Sequence, residues 1–190
     1  TKASGAIRPG FRLGRCLVEQ GHLAPSELYE ALRHQALAVL EGFYGKPIDT
    51  VFDDFERTPV ASASVAQVHF ARLPDGTETA SFLRQAKASF MHLQTMNSPE
   101  SVDELRKYLT PEMFEAIKAD VAANKDTAEF PTLNAEVVEA ATDGDQYVAS
   151  VRFHGMVSES LNAPVQPFEE LWHFVKPASA SSLKWLVAGI

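Results

Sequence analysis

Two histidines stand in consecutive strand-like runs of this chain, His154 within 146–157 and His173 within 167–177, with Asp145, Tyr147 and Glu170 near them in sequence. An imidazole facing a carboxylate is the usual equipment for moving a proton between substrate and enzyme. Alternation weighs against that use here. His154 shares its parity with Ser150 and Arg152, a polar face, whereas His173 alternates with the aromatics and shares a face with Leu171 and Val175. No catalytic residue is expected. The six histidines (22, 34, 69, 92, 154, 173) lack ligand spacing and Cys16 lacks a second cysteine, so neither a metal nor a cofactor is expected. The lysines are scattered, and neither a glycine-rich phosphate loop nor a serine nucleophile elbow occurs. Phe168, Trp172, Phe174 and Trp185 have two readings, a plain sheet-to-helix core or the lining of an apolar pocket for an acyl chain or a partner's hydrophobic side chain.

The elements that would position these groups can be read from periodicity. Leu13, Cys16, Leu17 and Gln20 recur at helical spacing until Gly21 stops the run. A second helix opens at Pro25, with Glu27 in its first turn, and closes at Gly42, Gly45 and Pro47. Residues 60–73 have strand character, and Pro74-Asp75-Gly76 reads as a turn. Phe82, Ala86, Phe90 and Leu93 make one face of a third helix. Ser98-Pro99 and Thr110-Pro111 are two further helix starts. From Leu133 the period becomes two, and Asp143-Gly144 is a hairpin signal between strands. The closing run 185–190 is apolar throughout, as expected of a strand buried on both sides. Helices followed by four strands predict an α+β fold with an antiparallel sheet, and a boundary near 78–81 divides the chain into regions 1–81 and 82–190.

The 190 residues carry 45% hydrophobic and 22% charged side chains, a globular composition with enough apolar surface for a core. The net charge is −8, which excludes a generic nucleic-acid binder because phosphate affinity needs surplus lysine and arginine. Most of that charge belongs to region 82–190, with 15 acidic against 9 basic residues. The first fifteen residues are instead basic, through Lys2, Arg8, Arg12 and Arg15, and suit an anionic lipid surface. No run reaches the ~18 apolar residues of a membrane span, and a lone cysteine fits a reducing compartment.

Beyond residue types, the runs FLRQAKASFMHLQ (82–94), LRKYLTPEMFEAIKADV (105–121), QYVASVRFHGMV (146–157), PFEELWHFVKP (167–177) and WLVAGI (185–190) resemble, in order, the C-terminal domain of the mitochondrial import-motor scaffold, the Tim44-like family, in its proteobacterial form. The resemblance implies helices packed on a curved four-stranded antiparallel sheet, a cone related to nuclear transport factor two, preceded here by a small mostly helical region. It implies a non-enzymatic adaptor that binds protein partners, cytoplasmic and peripheral at the inner membrane. The sheet's aromatic face and the helix carrying Phe82, Phe90 and Met91 would be its contacts.

Residues 40–78 are similar to the N-terminal lobe of UbiB-type atypical kinases, whose alanine-rich loop would be Ala61-Ser62-Ala63-Ser64 here. RLGR (12–15) departs from that family's Lys-x-Gly-Gln signature at both polar positions, and the lysine and metal-binding acids a kinase needs do not follow residue 78 before the second region starts. Residues 12–35 are also similar to the N-terminal domain of type II secretion and pilus ATPases. That resemblance implies half of a cyclic-di-GMP site using Arg12, Gly14 and Gln35. A sensor for cyclic-di-GMP or ATP through residues 12–67 is thus the alternative to the adaptor, as is a small-molecule pocket in the α+β region.

Overall fold

The computed structural model describes residues 13–63, 66–95, 102–123, 127–160, 163–180 and 184–190. Two compact units make up the chain; the second takes in residues Asp49–Phe55 and Phe70–Ile190, and the first the remainder.

The first unit is a helical hairpin with a short strand pair. Helix α1 (Leu13–Glu19) ends where Gly21 turns to φ 71°, letting the His22 amide reach back to the Leu17 carbonyl at 2.8 Å. Helix α2 (Pro25–Tyr44) begins as expected at Pro25, and the Glu27 carboxylate accepts the Ala24 amide at 2.7 Å. It runs through Gly42 and stops only at Gly45, φ 65°, because Gly45 alone supplies the left-handed cap. Two three-residue strands, β2 (Ala61–Ala63) and β3 (Ala66–Val68), pair antiparallel.

In the second unit, a two-residue strand β1 (Asp54–Phe55) pairs antiparallel with β4 (Ala71–Arg72). The turn predicted at 74–76 follows, with Gly76 at φ 78°. Helix α3 (Thr79–Thr95) starts three residues before the predicted stripe and buries Phe82, Ala86, Ser89, Phe90 and Leu93 on one face. The helix expected from Ser98 is a 3-10 turn over Asp103–Lys107, and its proposed cap lies outside the described residues. Helix α4 (Pro111–Ala123) is capped by the Thr110 hydroxyl, which accepts the Met113 amide at 3.2 Å.

Four strands then form one antiparallel sheet in chain order: β5 (Glu129–Asp143), β6 (Gln146–Ser158), β7 (Gln166–Pro177) and β8 (Leu186–Gly189). The architecture is therefore α+β, with helices on a four-stranded antiparallel sheet and a small, mostly helical region before it. β5 begins four residues earlier than its alternation suggests. Phe130 already packs on Phe90, and the register shift between Glu129 and Thr132 absorbs Pro131. The terminal strand departs from expectation. β8 has β7 on one side and, among the described residues, pairs on the other with the backbone around Tyr108–Thr110, through Val187. Trp185 and Val187 are buried, but Ala188 and Ile190 are exposed, so the run is apolar without being buried on both faces.

At Gly155 the two long strands come too close for a side chain. A Cβ there would lie 2.1 Å from the Thr132 carbonyl oxygen, and φ is 156°. Gly155→Ala is accordingly expected to cost about 1–3 kcal/mol, as overpacking against backbone does. Urea unfolding measures it, and an unchanged midpoint would mean that Thr132 yields without cost.

Candidate functional site

Alternation along β6 and β7 sorts the candidate residues onto opposite faces of the sheet. The inner face of β7 carries the even positions: Phe168, Glu170, Trp172, Phe174 and Lys176. Trp172 and Phe174 are buried, as is Trp185 just before β8, whereas Phe168 is half-buried. Their rings are spent on helix α3. Phe90 centres one cluster, at 4.6 Å from Phe153, 4.8 Å from Trp172, 5.1 Å from Phe130 and 5.9 Å from Phe168 between ring centroids. Phe82 centres another, 5.0 Å from Trp185 and 5.6 Å from Phe174. The Trp172 indole donates to Glu170 Oε2 at 2.8 Å, while Trp185 Nε1 has no hydrogen-bond partner among the described residues. The aromatic set is thus brought together, but as the joint between helix and sheet. Phe82 and Phe90, expected among the contact residues, are fully inside it.

The outer face carries the polar chemistry. Arg152 reaches Glu136 on β5, Nη2 to Oε1 2.6 Å, and His154 Nε2 stands 3.6 Å from the same oxygen. His173 is exposed rather than a core histidine, and its Nδ1 lies 2.9 Å from Ser150 Oγ. Glu170, on the opposite face, is engaged by Trp172 and separated by the sheet from His173; Glu169 shares the outer face with His173 and stands opposite His154 in register. Asp145 sits in the hairpin turn and accepts the Ala178 amide through its backbone at 2.8 Å. What the face offers is a row of partnered polar groups for surface contacts. Among the described residues, no three His, Cys, Asp or Glu side chains come together as a metal site.

One interaction escaped the sequence reading. Lys176 Nζ donates to Asp75 Oδ2 at 2.8 Å, with side chains only 6% and 0% exposed. The Thr77 amide and hydroxyl donate to the same carboxylate at 2.9 and 2.5 Å. Burial pushes the Asp75 carboxyl up, but the hydrogen bonds from Lys176 and Thr77, with the Lys176 charge, outweigh it and hold it below the usual carboxylate range. The signal was available: Lys176 has the parity of the aromatic face, and an Asp two residues before Thr is an Asx turn.

In the first unit, Gly14 answers to packing. A Cβ there would lie 2.6 Å from Leu28 Cδ1, so the glycine lets α1 approach α2. Gln35 is exposed on α2, and Arg12 lies outside the described residues. The alanine-rich segment supplies β2, which pairs with β3; Ser64 lies outside the described residues.

Comparison with known proteins finds two family models that overlap over residues 63–81. The family model described as Tim44-like domain matches residues 63–190, and the one described as ABC1 atypical kinase-like domain matches residues 26–81. Among curated proteins, the chain is similar to probable protein kinase UbiB of Sodalis glossinidius (strain morsitans), 56% identical over 23% of this chain and 8% of that protein. It is also similar to probable protein kinase UbiB of Aeromonas salmonicida (strain A449), 37% identical over 37% of this chain and 15% of that protein. The chain therefore spans less than a sixth of the length of either. Among solved structures it is similar to a ketosteroid isomerase-like protein from Erwinia carotovora atroseptica, at 15% identity and TM-score 0.35, over 59% of this chain and 98% of that one.

Proposed function

This chain belongs to the Tim44-like domain family, and from that premise we propose that it is a non-enzymatic adaptor, a scaffold whose α+β module, residues 82–190, binds protein partners. The observation that carries the reading is the family match across 63–190. The packing supports it, because the aromatic side chains that might have lined a small-molecule pocket are committed to α3, leaving the sheet's outer face and edges for contact. The working place we propose is cytoplasmic, with a peripheral contact at the inner membrane through the basic tip that includes Lys2, Arg8, Arg12 and Arg15. Among the described residues no helix is long and apolar enough to cross a membrane, and the acidic bulk would be repelled by anionic lipid. Residues 1–81 are a separate region under this proposal. Their match to an atypical kinase-like model favours a second reading, a nucleotide-binding remnant of such a lobe without catalytic activity.

The adaptor reading predicts that the immobilised chain recovers a protein by cross-linking from bacterial lysate, or co-sediments with vesicles containing anionic lipid. A chain that does neither, and whose melting temperature rises with ATP, would transfer the assignment to the nucleotide-binding reading.

A further inference from the structure

We infer that Asp143 is a site of spontaneous covalent modification. Its side chain and the Gly144 nitrogen close a cyclic imide that reopens as a β-aspartyl linkage, the substrate of a protein carboxyl methyltransferase. This chemistry goes beyond the adaptor reading and does not depend on it.

Two Asp-Gly pairs occur in the chain, Asp75-Gly76 and Asp143-Gly144. Glycine in the second place removes the Cβ that would hinder approach of the backbone nitrogen to the carboxyl carbon. The nitrogen attacks Cγ and a C–N bond forms. The amide hydrogen and the carboxyl hydroxyl leave together as water. Water then adds to one of the two ring carbonyls and breaks its bond to nitrogen. Opening at the main-chain carbonyl carries the chain through Cγ and frees the α-carboxylate; opening at Cγ restores the original linkage. No oxidant or reductant is needed. One oxygen of the freed carboxylate can then take a methyl group from a sulfonium donor, which departs as a thioether.

The structure separates the two pairs. The Asp75 carboxylate is enclosed and held by Lys176 and Thr77, and the Gly76 amide donates to the Leu73 carbonyl at 2.8 Å. Both reacting groups are therefore occupied. Asp143 ends β5 and Gln146 opens β6, so Gly144 and Asp145 form a two-residue hairpin loop, and all four residues are exposed. Among the described residues, neither the Asp143 carboxylate nor the Gly144 amide has a hydrogen-bond partner. Gly144 stands at φ 58°, and a Cβ built on it would meet nothing within 4 Å, so the space around it is open. Turning the Asp143 carboxyl carbon onto the nitrogen disturbs the terminal Asp143–Gln146 pair and leaves the rest of the β5–β6 ladder in register.

The test incubates the folded 190-residue chain for weeks at neutral pH, beside two synthetic peptides spanning 73–84 and 126–152. Tryptic mapping locates β-aspartyl residues, and a carboxyl methyltransferase with labelled methyl donor counts them. The peptides are expected to convert at similar rates. In the folded chain, conversion at Asp143 should exceed that at Asp75 at least about ten-fold, because reaction at Asp75 first requires local opening of a buried pair. Asp143→Glu, whose ring would be one atom larger, should remove most of the methyl label without changing the unfolding midpoint. Equal conversion at the two sites in the folded chain would overturn the inference. So would an unmodified Asp143 after its peptide has converted, or a methyl label that survives Asp143→Glu.

Discussion

Phe90→Ala is expected to lower the unfolding free energy of the second unit by about 3–5 kcal/mol, the range for truncating a fully buried aromatic side chain. Phe90 has no exposed surface, and four aromatic rings from β5, β6 and β7 lie with centroids within 5.9 Å of its own. The cavity is costly because its walls are rigid. Phe153 and Trp172 lie on adjacent strands held by the ladder, with Val151 paired to Trp172 and Phe153 to Glu170, so neither can collapse inward without breaking register. Aromatic pair geometry adds about 0.5–1.5 kcal/mol to such contacts beyond area burial. At roughly 2–4 °C per kcal/mol for a unit of this size, the melting temperature should fall by about 10 °C or more. Phe90→Leu keeps most of the volume and should cost under about 1.5 kcal/mol. Phe168→Ala, at the half-buried rim of the same cluster, should cost less than Phe90→Ala. Denaturant unfolding followed by tryptophan fluorescence reads all three. Equal losses at positions 90 and 168 would show that the cluster has no centre and that the aromatic face retains room for a ligand.

The same geometry explains which parts of the molecule were legible in the sequence. Helix starts were plain at Pro25 and Pro111, where a proline follows the cap position, because those residues act within a single turn. The long hairpin was plain because period two persists over β6 and a glycine marks its turn. The exposure of β8 was not. An apolar run records what its residues tolerate, whereas exposure depends on what lies beside the strand, and that is decided by topology. β5 was read short because Pro131 breaks local propensity, while the contact that pays for the extension, Phe130 on Phe90, joins residues forty apart. The separation of one acid–base pair was legible in the sequence. Glu170 and His173 differ by an odd number of positions, so a continuous strand must send them to opposite faces. The resemblance to the Tim44-like family was carried by runs spread across 82–190, and those are the runs that form α3, α4 and the sheet.

The Asp75–Lys176 pair yields the second large effect. Asp75→Asn leaves the Lys176 ammonium buried with its partner among the described residues gone, and removing one member of a buried pair costs about 3–5 kcal/mol. Lys176→Met should be milder, because Asp75 keeps the Thr77 amide and hydroxyl. The double change Asp75→Asn, Lys176→Met removes both charges together and should recover much of the loss, since apolar or neutral replacement of a whole buried pair is often close to neutral. The sign of the pH dependence follows from the carboxylate. Its folded value lies below the ordinary 3.8, so the stabilisation is fully present above that value and is lost as pH falls through the folded one. The gap in stability between the wild-type chain and Asp75→Asn should therefore be widest near neutrality and should close on acidification below pH 3.8. Unfolding midpoints in urea at pH 7 and at pH 3 measure it. A gap that stays constant would assign the loss to the turn's hydrogen bonds to Thr77 alone. A gap that closes would place the charge pair itself between the 73–77 turn and the end of β7. A fragment beginning at residue 82 would then be less stable than one beginning at residue 70, because it carries Lys176 into the core without Asp75.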